Sequence, residues 1–296
     1  MVMRGVDRFV GSRAWRPREG GRKGDVSMSE QRFGESYRGT APENYQKFFV
    51  PMIGAPVADD LVERAGLAPG ERVLDVACGT GVVTRLAAEK VGPDGRVAGL
   101  DVNAGMLEVA RRATPPGLSI DWYEAAAESI PLSDESYDVV LCAMGLQFMT
   151  KRLDALREMR RILVEGGRAL FELPGPTPRG FELMADTLTR HVGAKAAGFV
   201  QIVFSLHDTD DLEQLVTSAG FREVRATAEL RRFPLPPPAK LLWGYVSSTP
   251  LAAAVASATA EQRAALEGEF CARWTDLPAQ AQSSLEVRMT TVEAVK

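Results

Sequence analysis

Residues 73–88, VLDVACGTGVVTRLAA, constrain the fold more than any other stretch. An apolar run carries an acid, Asp75. A small-residue turn with Gly79 and Gly81 follows, and then apolar residues recur at helical spacing. This order predicts a buried strand, a sharp turn and a helix, the unit from which parallel sheets are wound. The pattern continues. Strands are expected at 71–77, 97–101, 118–123, 137–143 and 168–173, with helices at 82–90 and 105–112. A further helix along Leu156, Met159 and Leu163 should stop at Gly166-Gly167. The strands are continuous apolar runs rather than alternations, which argues for a sheet covered on both faces. After Pro174 the rhythm changes. Helices are expected at 180–192 and 210–219, a strand at 221–230, a stiff FPLPPP connector, a mostly helical stretch at 241–274 and a last strand at 284–295. The expected architecture is a doubly wound, mostly parallel, seven-stranded α/β sheet with a helical cap inserted near the C-terminus. Its segments divide into N-terminal helices (28–66), a core (67–235 and 279–296) and the cap (236–278). Pro51 and Pro56 should break or kink the N-terminal apolar pattern into two helices.

Composition narrows the class. With 296 residues, 45% of them hydrophobic, the chain can bury one large core. A net charge of −4 offers no broad basic field for nucleic acid. The three cysteines, Cys78, Cys142 and Cys271, lie far apart, which argues against a disulfide framework or a structural zinc site and for a cytoplasmic chain. No apolar run is long enough for a membrane span. A monomer or homodimer is expected. Residues 1–27 hold seven Arg/Lys against three Asp/Glu without an apolar centre. They read as a disordered tail or an extension before a start at Met28, with a basic arm or a transit peptide as alternatives.

What the glycine turn binds can be argued from charge. A dinucleotide fingerprint needs a third glycine three residues after the second. Here Val82-Val83-Thr84 follows Gly81, so that glycine is absent. Asp75, at the end of its strand, would repel a pyrophosphate and suits an ammonium or sulfonium. Asp101 ends the second strand, where a carboxylate accepts hydrogen bonds from ribose hydroxyls. The site therefore asks for a nucleoside with a positive group and no phosphates, which S-adenosylmethionine satisfies.

VLDVACGTG, GLDVNAGMLEVAR, AAESIPLSDESYDVVLC and LREMRRILVEGGRALF resemble, in that order, the motifs of class I S-adenosylmethionine-dependent methyltransferases. The branch most resembled is the small-molecule one, akin to the ubiquinone/menaquinone C-methyltransferases. The likeness is good over residues 45–174 and loose beyond. It implies a Rossmann-like fold in which Ala77, Gly79 and Gly81 present backbone to the methionyl part and Asp75 lies under its amino group. It also implies that Asp101 binds the ribose, Met106 packs on the adenine, and Ala127 and Glu128 line the adenine edge. Cys142, with Ala143, would lie beside the methionine. Val102, Ala126 and Tyr45 complete the implied cofactor set. One departure is that Ala125-Ala126-Ala127 stands where relatives often carry an Asp on the adenine amine.

Methyl transfer from a sulfonium needs alignment above all, and a base only if the acceptor must lose a proton. His191, His207 and Gln147 are the candidates for a catalytic polar group, and no metal set is apparent. The loop LCAMGLQF lacks the Asn/Asp-Pro-Pro-aromatic signature of enzymes acting on nucleobase or amide nitrogen. The acceptor is then expected to be a small molecule such as a phenol or quinone. A non-catalytic S-adenosylmethionine-binding protein and, less well supported, a nicotinamide-dependent oxidoreductase are the alternatives. In the cap, Trp243, Tyr245, Phe270 and Trp274 stand out among alanines, and Trp243 is the ring expected to touch the acceptor.

Overall fold

The computed structural model describes residues 36–296. The expectations for residues 1–27 lie outside the described residues. Described structure begins with a short helix, α1 (Ala41–Asn44), which runs without a break into a π-helix (Tyr45–Gly54) and then α2 (Ala55–Ala65). The prolines do not split this stretch. Pro51 sits inside the wide π turn, and Pro56 occupies the first turn of α2, where a missing N–H costs nothing.

The strand-turn-helix unit follows as β1 (Arg72–Val76) and α3 (Val82–Val91). Next come β2 (Arg96–Asp101), α4 (Ala104–Ala113), β3 (Ile120–Glu124), β4 (Tyr137–Ala143), α5 (Arg152–Ile162) and β5 (Leu163–Pro174). α6 (Arg179–His191), α7 (Ala194–Val203) and α8 (Thr209–Ser218) lead to β6 (Arg222–Pro234). α9 (Pro238–Ser247), α10 (Leu251–Ala256), α11 (Ala260–Trp274) and α12 (Ala279–Ser283) precede β7 (Ser284–Val295). The seven strands form one sheet in the order β3-β2-β1-β4-β5-β7-β6. All pairs are parallel except those of β7, which runs antiparallel to β5 and β6. This is a mostly parallel, Rossmann-like α/β sheet.

Two local expectations are corrected. α5 ends at Ile162, and Gly166-Gly167 belong to β5. The β4–β5 register slips between Tyr137 and Val139, so the glycines serve a bulge. A Cβ on Gly167 would lie 2.9 Å from the Val164 carbonyl and 3.0 Å from that of Asp138. The second correction is α7, a helix the expected pattern lacked, because AKAAGFVQIV is apolar nearly all round and has no one-sided stripe.

Three apolar clusters organise the packing. One seats α2 and α3 on one sheet face, through Leu61, Val73, Ala87 and Leu141. A second seats α5 and α8 on the other, through Leu156, Met159, Phe171 and Val216. The third joins α6 and α7 to α9, α10 and α11 against β6 and β7, through Phe233, Val287 and Met289, with Ile53 of the π-helix packed in. The cap is therefore assembled from two separated stretches of chain, one before β6 and one after it.

Candidate active site

β1 and β4 are neighbours whose following connections lead to opposite sides of the sheet. A crevice opens at such a switch point, beyond the carboxyl ends of the strands. The two loops there are pressed together. Ala77 and Met144 both take left-handed backbone, at φ 59° and 49°. A Cβ on Gly145 would lie 2.6 Å from that of Ala77 and 2.9 Å from the Cys142 sulfur. Only a glycine fits that contact.

The result is a cavity of about 290 Å³. Asp75 and Asp101 stand side by side in it, at the ends of paired strands. Asp75 is 1% exposed, and its Oδ2 accepts a 2.6 Å bond from the Thr84 hydroxyl. Burial pushes its carboxyl up to about 7. Asp101 is 8% exposed and accepts from the backbone N–H of Gly79 and of Asn103, both at 2.8 Å. Burial raises it to about 6 against those hydrogen bonds, which favour the charged form. Two buried acids, with only the Arg85 guanidinium of α3 acting on Asp75 from nearby, suit a ligand that is cationic and rich in hydroxyls. Thr80, beside them, has a buried Oγ1 with no hydrogen-bond partner. A diphosphate would meet two carboxylates at close range.

Most of the residues singled out from sequence converge here: Tyr45, Ala77, Gly79, Val102, Met106, Ala126, Ala127 and Glu128 all line the cavity. Glu128 accepts from the Lys151 N–H at 3.4 Å and the Thr150 hydroxyl at 3.5 Å, which ties the β3–β4 connection to the start of α5.

Five do not line it. Gly81, at φ 78°, begins α3, and a Cβ there would lie 2.4 Å from the Trp122 ring. Its role is to admit that indole. Cys142 is 1% exposed and sits in the cluster on the α5 face. Alternation along β4 sends Ala143, and not Cys142, to the cavity side. Burial holds its thiol up at about 12, so it is no nucleophile. His191 lies on the cap, its Nε2 2.7 Å from Glu269 Oε2. His207 packs against Gly175, and its carbonyl accepts from the Thr290 hydroxyl. Gln147 is 1% exposed with both amide atoms unpartnered, and its carbonyl accepts from Arg152 Nη2.

Sequence reading missed several residues that line the cavity, among them Gly54, Met144, Phe148, Met149 and Tyr37. Phe148 follows Gln147 directly, and its ring stacks on Phe199 of α7 at 6.0 Å. Tyr37 meets Tyr45 edge-on at 6.0 Å, Tyr45 stacks on Phe49 at 4.6 Å, and the Tyr37 carbonyl accepts from Asn103 Nδ2. The N-terminal segment is thus tied to the Asp101 loop. Trp243 is not in the cavity wall. Its Nε1 donates to Glu267 on α11.

Residues 73–167 match the family model described as a methyltransferase domain. A ubiquinone/menaquinone biosynthesis C-methyltransferase of Ectopseudomonas mendocina (strain ymp) is 45% identical over 120 residues, which is 38% of this chain and 47% of that protein. The chain thus spans about half the length of the curated relatives it matches. Among solved structures, phosphoethanolamine N-methyltransferase 2 of Haemonchus contortus, in complex with S-adenosyl-L-methionine, superposes with a TM-score of 0.57 at 18% identity. That alignment covers 93% of this chain and 61% of that one. The [4+2]-cyclase SpnF superposes with a TM-score of 0.50 at 20% identity, covering 82% and 80%. These likenesses establish the fold, and SpnF illustrates that the fold alone does not name the reaction.

Proposed function

We propose that this chain, whose residues 73–167 match the methyltransferase-domain family model, transfers a methyl group from S-adenosylmethionine to a small-molecule acceptor. The observation that carries the reading is the pair of buried acids, Asp75 and Asp101, in one cavity that Tyr45, Met106, Met144 and Phe148 also line. When bound, S-adenosylmethionine supplies an activated methyl on a sulfonium centre. Asp75 neutralises the ammonium of that ligand, and Asp101 accepts from its ribose hydroxyls. Gly79 and Ala77 bring bare backbone to it, and Met106 packs on the adenine. The Ala125-Ala126-Ala127 run leaves adenine selection to backbone groups of this segment and to shape.

The rest of the chemistry is alignment. Phe148, Met144 and Met149 exclude water from the acceptor side and hold a flat, apolar acceptor in line. Alignment of this kind supplies up to roughly 7–11 kcal/mol of a displacement barrier. The methyl donor is already activated, so no residue here needs a perturbed nucleophile. The N-terminal helices line the site through Tyr45 and Gly54, and the cap packs behind Phe148 through Phe199, so acceptor choice falls to these two parts.

Calorimetric titration with S-adenosylmethionine and S-adenosylhomocysteine tests the cofactor assignment, and absence of binding by both would refute it. Turnover against a panel of phenols, quinones and amines, read by mass spectrometry of the products, separates an enzyme from a non-catalytic binder.

A further inference from the structure

α9 brings one tyrosine to the edge of this site. The helix lies against the π-helix. Asn44 Nδ2 donates to the Ser247 carbonyl at 3.2 Å, and a Cβ on Gly244 would lie 3.9 Å from that of Phe48. Tyr245 on this helix is 3% exposed. Its ring meets Phe181 edge-on at 4.9 Å and lies 6.3 Å from Phe199, the ring that stacks on the cavity residue Phe148. A second route leads to the same place. Burial raises the phenol of Tyr37 well above its ordinary value, and the nearby Tyr45, Tyr245 and Asp101 raise it further. Tyr245 is likewise raised by burial and then by Tyr45. The three phenols therefore lie near one another, with Tyr37 and Tyr45 in the cavity wall.

Among the described residues none of these three hydroxyls has a protein hydrogen-bond partner. A hydroxyl at a cavity edge with no partner inside the protein keeps its donor and its acceptor free for a ligand. The cluster therefore suits an oxygen from outside the chain. We propose that the hydroxyls of Tyr245, Tyr45 and Tyr37 form a recognition site for a carbonyl or hydroxyl oxygen of the methyl acceptor, with Tyr245 as the cap's specificity residue. This rests on the methyl-transfer reading. It moves the acceptor-facing role from Trp243, whose indole is spent on Glu267, to a residue on the same helix. A ring bearing such an oxygen would have Phe148 as its apolar support.

The test uses the full chain saturated with S-adenosylhomocysteine. Hydroquinone is the probe, and p-xylene is the same shape without oxygens. Dissociation constants come from saturation-transfer NMR, so no turnover is needed. The expected result is that Tyr245→Phe weakens hydroquinone about ten-fold, one net hydrogen bond's worth. p-Xylene and S-adenosylhomocysteine should hold within two-fold. Equal hydroquinone affinity in the two proteins, or no saturable hydroquinone binding by the unaltered chain, would overturn the proposal. So would a selective loss of S-adenosylhomocysteine affinity, which would return the hydroxyls to the cofactor. If Tyr245→Phe does not fold, Tyr37→Phe carries the same comparison with the same criteria. Failure of the unaltered chain to bind S-adenosylhomocysteine would instead overturn the methyl-transfer reading. The hydroquinone comparison then proceeds on the ligand-free protein and still decides the tyrosine cluster.

Discussion

The acid-lined edge at β1 and β2 and the helical cap solve different problems. The edge is built from residues close in sequence. Asp75, Gly79 and Asp101 all fall within 27 positions and are held by backbone bonds and left-handed turns. The cap joins α6 and α7 to α9, α10 and α11 across β6, and what holds it is apolar contact, as between Phe270, Trp274 and Phe181. The edge spends stability on two buried acids, whereas the cap accumulates it. A site of this kind can keep its cofactor half constant while its cover is free to change.

Four measurements would break or sharpen that contrast. The largest effect is expected from Phe270→Ala. Its ring is fully buried in the cap cluster, and a cavity there costs about 3–5 kcal/mol. Hydrogen exchange should show α6 and α11 losing protection first, with the dissociation constant of S-adenosylhomocysteine within about two-fold. Parallel loss at β1 and β2 would show that cap and edge are one unit.

The second effect is pH dependence. Asp75 at about 7 and Asp101 at about 6 stand above the usual carboxylate range, so the folded state keeps protons that the unfolded chain has released. Their contribution is therefore favourable at low pH and is lost as pH rises from about 4 to about 7, by up to about 4 kcal/mol for Asp75 and about 3 kcal/mol for Asp101. Thermal unfolding of the ligand-free protein should show Asp75→Asn removing much of this slope. The same slope in both proteins would contradict the burial of a charge at Asp75. Cofactor affinity should run the other way, rising over this range as Asp75 ionises to meet an ammonium.

Third, Asp101→Ala should weaken S-adenosylmethionine and S-adenosylhomocysteine alike. Hydrogen bonds to a charged group contribute about 1.5–3 kcal/mol, which is roughly ten- to hundred-fold in affinity. Calorimetry showing neither ligand affected would remove Asp101 from the site. The smallest effect belongs to Trp243→Ala. Its indole touches the cap's own α11, so the Michaelis constant for any identified acceptor should stay within about two-fold and the melting temperature should drop slightly. A tenfold rise in that constant would put Trp243 back against the acceptor.

The order of strands, the turn at Gly79 and the spacing of Asp75 from Asp101 could be read directly from the chain. Each is a local matter: a buried strand needs a continuous apolar run, a turn needs small residues, and the acids sit where those runs stop. Cys142 shows the limit of reading by motif alone, because its neighbour Ala143 takes the cavity face simply by alternation. Gly81 was legible as a glycine, but the reason for it, the Trp122 ring 41 residues away, was not. Gly166-Gly167 passes for a helix stop until β4 is laid beside β5 and the register slip appears.

What only the tertiary structure decided is the company the acids keep. Tyr37, Gly54 and Phe148 line the same cavity and Tyr245 packs behind it, and no spacing between these residues carries a signal. Their proximity follows from the cap's apolar packing against the π-helix, which is non-directional and so leaves little positional trace in the chain. The sequence by itself determined the sheet, its acid-lined edge and the charge of the ligand that edge can hold. Long-range packing decided which rings face that ligand's neighbour.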